Sequence, residues 1–285
     1  MATKLAFIGA GIMGAPMARN CAASGDLDVR VWNRTREKAE AVEGAEVADS
    51  AAAAVEGAAL VVTMLADGNA VEAVARDFLP AAPDDVVWLQ MSTVGLEAGE
   101  RLRKLAGEHG IAYVDAPVSG TKEPAEKGEL VVLVSGPPQA RERGRPVFDA
   151  VGAKTVELGD EAGAGTRLKL VLNAWLVALV EGLAETIAFA ESIGVDPASF
   201  LETIEGGPLG PAYAQLKGKA MIEREFPPSF PLSLALKDAR LVLEAAKGEG
   251  LDLPLIETIE RQFGRAVDGG HGDEDMAAAI HGTVE

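Results

Sequence analysis

Strand, glycine turn and helix meet at the start of this chain, and no other stretch narrows the choice of fold as far. Lys4-Leu5-Ala6-Phe7-Ile8 is an apolar strand pattern that runs straight into Gly9-Ala10-Gly11-Ile12-Met13-Gly14, and Ala15 to Ala23 is rich in helix formers. Gly-x-Gly-x-x-Gly in that setting reads as a phosphate cradle. The first glycine permits a tight turn, the second lets a pyrophosphate reach the backbone, and the third lets the helix pack on its strand. The helix dipole and its first N–H groups then face the anion. Ile12 and Met13 complete the loop, so residues 9 and 11–14 are all candidate cofactor contacts.

The residues at the end of the second strand, Asp28 to Trp32, choose between dinucleotides. An acidic residue there would bond a free ribose 2′-hydroxyl and repel a 2′-phosphate. This chain has Asn33-Arg34-Thr35, a guanidinium between two side chains that can donate hydrogen bonds. That set suits a phosphate dianion, and the expected cofactor is NADP(H) rather than NAD(H). Thr35 also stands where a helix starting at Arg36 needs its N-cap.

Up to about residue 160, short β-branched runs alternate with alanine-rich helical ones. Strands are expected at 60–64, 86–89, 112–114, 130–134 and 155–158, which implies a mostly parallel, doubly wound sheet. After Gly159 the strand signals stop. A helical pattern runs from about Gly165 to Ile193, and further helices are expected at 197–205, 211–223, 233–248, 254–267 and 273–280. The fold class is therefore an α/β Rossmann domain, residues 1–160, followed by an all-α domain, residues 161–285, with a long helix joining them.

Twenty-six basic against forty-four acidic residues leave a net charge of −18, which argues against nucleic acid or an anionic membrane as partner. It also means that an anionic cofactor depends on local basic groups such as Arg34. Cys21 is the only cysteine and sits in the first helix pattern, so it reads as a core residue of a protein in a reducing compartment. No secretory leader and no uninterrupted apolar run of membrane-spanning length is evident, and a cytoplasmic location is expected. Three histidines without His-x-x-x-His or Cys-x-x-Cys spacing give no sign of a metal site.

Ligands of such a sheet bind beyond the carboxyl ends of its strands. That marks Met64-Leu65-Ala66, then Ser92 and Thr93, as site candidates, and in the run Asp115-Ala116-Pro117-Val118-Ser119-Gly120 the main-chain N–H groups and the Ser119 hydroxyl as a grip for a small carboxylate. Read alone, that last run serves equally as a turn shaped by Pro117 and Gly120. Lys169 and Asn173 lie four apart on one face of the long helix. A protonated amine can give its proton to the oxygen of a carbonyl as hydride arrives, with the amide as positioning group. Leu168, Leu170, Val171, Leu172 and Trp175 leave these two as a narrow polar stripe.

Four motifs in order, Gly-x-Gly-x-Met-Gly at 9–14, Asp-Ala-Pro-Val-Ser-Gly at 115–120, Gly163-x-Gly165-x-x-x-Lys169-x-x-x-Asn173 and Leu236-Lys237-Asp238, resemble the β-hydroxyacid dehydrogenases over the whole chain. That resemblance implies Lys169 as general acid/base with Asn173 as its helper. It also implies substrate contacts from Ser119, Gly120 and Thr121, nicotinamide contacts from Ser92 and Thr93, and Lys237 closing over the cofactor. The partner it implies is a small-molecule carboxylate, and the assembly a homodimer or homotetramer packed through the helical domains.

Departures from the common pattern narrow the branch. Thr121-Lys122-Glu123-Pro124 after Ser119-Gly120 is similar to the glyoxylate/succinic semialdehyde reductases, with Lys122 a candidate for a distal carboxylate. Leu176 stands where the related 6-phosphogluconate dehydrogenases carry a glutamate acid, which disfavours decarboxylation of a phosphorylated sugar acid. Imine reductases of similar architecture generally replace the lysine, and a non-catalytic NADPH-binding role would not require it. Trp175, Tyr213, Phe230 and residues 206–212 are candidates for shaping the pocket, each equally well explained by helix packing.

Overall fold

The computed structural model describes residues 2–284. Six strands, β1 (Thr3–Ile8), β2 (Leu27–Trp32), β3 (Glu46–Val47), β4 (Leu60–Thr63), β5 (Val87–Gln90) and β6 (Ala112–Asp115), form one sheet in the order β3-β2-β1-β4-β5-β6. Every pairing in it is parallel. The helices α1 (Gly14–Ala23), α2 (Arg36–Glu40), α3 (Ala51–Val55), α4 (Gly68–Phe78) and α5 (Leu96–Glu108) provide the crossovers. The strand order reverses between β1 and β4, the switch point at which such sheets open a ligand crevice.

Both faces of this sheet are covered, which is why β4 and β5 are buried along their whole length. Phe7, Val31, Leu89 and Phe148 fill one face with Met17 and Cys21, whereas Ile8, Val61, Phe78, Trp88 and Tyr113 fill the other. Cys21 is fully buried, and burial pushes its thiol up to about 12, consistent with an inert core residue.

The strand signals at 130–134 and 155–158 do not extend that sheet, contrary to the expectation of a single one. After β6 the chain forms β7 (Val118–Ser119), α6 (Lys122–Lys127), β8 (Leu130–Val134), α7 (Pro138–Val151) and β9 (Gly152–Glu157), and the three strands make a separate sheet in the order β7-β8-β9. β7 runs antiparallel to β8, and β8 parallel to β9. Pro117 has no N–H to continue a ladder, and an isolated bridge between Asp115 and Ser135 links the two sheets, each N–H bonding the other's carbonyl. β3, two residues long, was too short to register as a pattern.

The remaining elements are helical: α8 (Ala164–Ser192), α9 (Pro197–Ile204), α10 (Ala212–Glu223), α11 (Leu232–Gly248), α12 (Pro254–Ala266) and α13 (Ile280–Val284). The helix expected at 273–280 is instead a 3-10 turn, Met276–Ala279, leading into α13, preceded by a π-helical turn at Val267–His271. Gly270, at φ 101°, breaks the helix there. Asp275 starts the new turn by accepting the Ala277 N–H, and its carboxylate forms a buried ion pair with Lys217 at 2.7 Å. Burial opposes the charge on Asp275, but Lys217 and Ser229 outweigh it and hold its pKa below the ordinary value.

The chain divides into two compact units, Met1–Lys169 and Leu170–Glu285, so the boundary lies inside α8 rather than ahead of it. Within the second unit α8 is bonded to α11 through Asn173–Asp238, to α13 through Glu181–Thr283 and to α10 through Glu191–Arg224. Among the described residues it is the one helix long and apolar enough to cross a bilayer by length and composition.

Candidate functional site

The three glycines of the first loop do three different jobs. Gly9 has φ 108°, and a side chain there would put Cβ 2.3 Å from the Met64 carbonyl oxygen. A Cβ at Gly14 would fall 2.0 Å from the Gly9 carbonyl oxygen, so α1 packs on β1 only with glycine there. At Gly11 a Cβ would meet nothing within 4 Å, leaving the backbone open to an approaching group. That is the division of labour a pyrophosphate requires, and it fits a dinucleotide. Ile12 is exposed and Met13 half-buried beside it.

Asn33 is more constrained than its motif suggests. Its Oδ1 accepts the Ala10 N–H at 2.9 Å and its Nδ2 donates to the Thr35 carbonyl at 2.9 Å, so the side chain ties the glycine loop to the end of β2. Thr35 occupies the N-cap position of α2, but its hydroxyl makes no capping bond, which corrects that expectation. Arg36 is engaged with Glu40 and Asp49, while Arg34 stands exposed at the strand end.

At the ends of β4 and β5, Ser92 acts as a brace. It is fully buried, its Oγ accepts the Leu65 N–H at 2.8 Å and donates to the Thr63 carbonyl at 3.2 Å. Its own N–H goes to Gln90 Oε1 at 2.7 Å. The hydroxyl expected beside the nicotinamide is therefore consumed in fixing Met64-Leu65-Ala66 against the turn that carries Thr93. Half-buried Met64 and Leu65 and exposed Ala66 line that strand end.

Ser119 ends β7 and Lys122 begins α6, with Gly120 and Thr121 forming the turn between them. Gly120 has φ 134° and a Cβ there would come 2.6 Å from Leu130, so the turn needs glycine for space as well as for conformation. Thr121 precedes the helix without capping it through its side chain. Lys122 lies 3.8 Å from Glu126, both half exposed to solvent, an ion pair weak enough to yield to a ligand.

The most elaborate construction is at the start of α8. Asp115, 2% exposed, accepts the Thr166 N–H at 2.8 Å on Oδ2 and the Thr166 hydroxyl at 2.6 Å on Oδ1, and Ser135 donates to it at 3.2 Å. Ser135 Oγ in turn accepts the N–H groups of Gly163 and Gly165. A buried carboxylate and hydroxyl thus take up helix N-terminal amides that have no partners within the helix. Burial raises the pKa of Asp115, and the bonds from Thr166 and Ser135 work the other way. Gly165 is required because a Cβ would fall 2.3 Å from the Leu133 carbonyl. Asp115 is therefore a clamp, not part of a substrate grip.

Lys169 follows one turn after the clamped residues and is half-buried. Asn173 is 1% exposed and donates to Asp238 Oδ2 at 2.9 Å, while Lys237 Nζ stands 2.9 Å from Asp238 Oδ1. A carboxylate can only accept, so Asp238 orients the Asn173 amide with its NH₂ inward and leaves the carbonyl oxygen for other partners. Neither the Asp115–Ser135–Thr166 clamp nor the Asp238 anchor was assigned a role on sequence. Both residues lay inside recognised motifs, which was the available signal. Of the pocket-shaping candidates, Trp175 is 67% exposed, whereas Tyr213 bonds the Met276 sulfur and Phe230 donates its N–H to Asp275.

Residues 4–159 match the family described as the NAD binding domain of 6-phosphogluconate dehydrogenase. Residues 163–282 match that described as NAD-binding of NADP-dependent 3-hydroxyisobutyrate dehydrogenase. The chain is 32% identical to glyoxylate/succinic semialdehyde reductase 1 of Arabidopsis thaliana, covering 97% of this chain and 97% of that one. It is 30% identical to the solved 3-hydroxyisobutyrate dehydrogenase of Mycobacterium tuberculosis with L-serine, at a TM-score of 0.87 over all of both chains. A reductive aminase of Aspergillus terreus, solved with NADPH and ethyl-5-oxohexanoate, is similar at 25% identity and a TM-score of 0.63 over 99% of both.

Proposed function

The chain belongs to the β-hydroxyacid dehydrogenase family, and from that premise we propose that it reduces a small aldehyde- or keto-acid to the hydroxy acid with NADPH. Candidate substrates are glyoxylate, succinic semialdehyde and tartronate semialdehyde. The observation that carries the reading is the clamped start of α8: the fold spends a buried carboxylate, a hydroxyl and two glycines on fixing the helix turn that bears Lys169. A helix face of merely structural lysine requires no such anchoring.

Bound nicotinamide supplies hydride to the carbonyl carbon. As negative charge gathers on the carbonyl oxygen, the Lys169 ammonium donates its proton there. Asn173, its amide oriented by Asp238, positions the amine or the substrate. Gly9, Gly11, Ile12, Met13 and Gly14 receive the pyrophosphate at the N-terminus of α1, and Arg34 pairs with the 2′-phosphate. Asn33 and Ser92 fix the shapes of the loops, Thr35, Met64, Leu65, Ala66 and Thr93 line them, and Lys237 adds a cation. Ser119, Gly120, Thr121 and Lys122 take the carboxylate of the substrate through N–H groups, hydroxyls and an ammonium.

An apolar stripe supports a homodimer. Val171 and Trp175 near the start of α8, Phe189 near its end and Ile193 just beyond it fall at helical spacing on one face, and each is 58–67% exposed. A stripe of that size, with tryptophan in it, suits a second copy of the chain. The similarity to a reductive aminase keeps imines as the second reading, which retention of Lys169 disfavours.

The test follows NADPH absorbance, with NADH in parallel, as each acid is added. Oxidation with one acid and preference for NADPH is the expected result. Silence with every acid despite NADPH binding, together with turnover of a cyclic imine, would replace this reading by the second.

A further inference from the structure

Two of the three histidines, ten residues apart in the chain, come together near its end. The ring planes of His271 and His281 stack with centroids 3.8 Å apart, and His271 Nδ1 lies 2.9 Å from Glu274 Oε2. One ligand atom from each of His271, Glu274 and His281 falls within 4.8 Å of the other two, and all three residues are half-buried. We propose that these residues bind a borderline divalent transition-metal ion, such as Zn²⁺ or Ni²⁺, that fastens α13 to the turn before it.

The donor set and its spacing both point there. Two imidazoles and a carboxylate are the ligands such ions prefer, with water completing the shell. An ion with bonds of about 2.0–2.1 Å holds neighbouring donors roughly 2.9–3.3 Å apart, in octahedral or tetrahedral geometry. The His271–Glu274 pair is already at that separation. A rotation of the His281 ring out of its stack brings the third donor in, and Phe226 meets that ring in a T-shaped contact at 5.4 Å.

The backbone beneath these side chains is fixed. The Glu274 N–H bonds the His271 carbonyl, and the Glu274 carbonyl accepts the Leu232 N–H at 2.8 Å. Asp275 is held by Lys217 and Ser229, and Met276 through Ile280 are fully buried. Donors carried on a rigid frame lose little freedom on binding. Asp268, Asp273 and Glu274 in the same stretch favour a cation.

The full chain, stripped with a chelator and dialysed, is titrated calorimetrically with zinc chloride and then with nickel chloride. One equivalent binding at micromolar or lower concentration is expected, with a rise of several degrees in melting temperature that chelator reverses. His271→Gln and His281→Gln each weaken binding at least tenfold, and His109→Gln leaves it unchanged. X-ray absorption at the zinc edge of the unmutated protein, free of any folding defect in a variant, shows two imidazoles and an oxygen donor. Absence of saturable binding below about 100 μM, binding unaffected by either histidine variant, or a shell of oxygen alone overturns the proposal.

Discussion

The unit that ends at Lys169 and the unit that begins at Leu170 position their polar residues by different means. In the first, the sheet backbone delivers each strand end to the same edge, and small side chains complete the geometry: Asn33 ties the glycine loop, Ser92 braces β4 to β5, Asp115 and Ser135 cap α8. In the second, placement depends on helix packing. Asn173 needs Asp238 from another helix, Glu181 is buried with one carboxylate oxygen unpartnered, and Trp175 and Phe189 face outward. The difference separates two tasks. A cofactor common to many enzymes is met by geometry that backbone and glycine can supply, whereas the proposed assembly and substrate choice would rest on side chains that only packing brings together.

The largest effect that can test this contrast is loss of the clamp. Asp115→Ala strands the Thr166 N–H and leaves the Thr166 and Ser135 hydroxyls without their acceptor, so urea unfolding should report a loss of about 3 kcal/mol. A loss indistinguishable from that of a surface substitution would mean that α8 is anchored elsewhere. Next is assembly: Trp175→Glu places a charge in the apolar stripe and is expected to convert the proposed dimer to monomer, read by light scattering during size-exclusion chromatography on both proteins. Unchanged mass would remove that face from the interface. Arg34→Ala should raise the KM for NADPH about ten- to a hundredfold, as expected for losing a charge-assisted pair, and leave that for NADH near its original value. An equal change for both cofactors would detach Arg34 from the 2′-phosphate.

The smallest effect is a slope rather than a loss. Burial, with Glu185 nearby, pushes Glu181 up to about 7 from an ordinary 4.5, against the opposing influence of Thr283 and Arg265. The folded state therefore binds this proton more tightly than the unfolded chain does. Its contribution to stability is full below pH 4.5 and is lost as pH rises through about 7. Glu181→Gln should flatten the fall in melting temperature between pH 5 and pH 8. A variant with the same slope as the parent would assign the pH dependence to other groups.

The same contrast explains what the sequence made legible. Gly9, Gly11 and Gly14 could be assigned from spacing because each answers a local backbone demand, and the helices of the second unit from the Pro and Gly signals that separate them. The second sheet was hidden because β8 and β9 carry the same β-branched signal as strands of the first, and only the Asp115–Ser135 bridge shows where they turn aside. Ser92 was read as a ligand contact and Asp115 was recognised only as a motif residue, since a motif does not reveal whether a hydroxyl or carboxylate faces a ligand or a neighbouring amide. The meeting of His271 with His281 was invisible to a search for short ligand spacing, because the 3-10 turn and α13 that join them replace a helix the pattern had extended to residue 280.

The most direct measurement on the central claim compares Lys169→Ala with the parent protein in NADPH-dependent reduction of its best acid, with NADPH affinity measured on both by fluorescence. A general acid typically contributes about 10²–10⁴-fold, so turnover should fall by that factor while NADPH affinity stays near that of the parent. Turnover comparable to the parent's would contradict the assignment of Lys169 as proton donor.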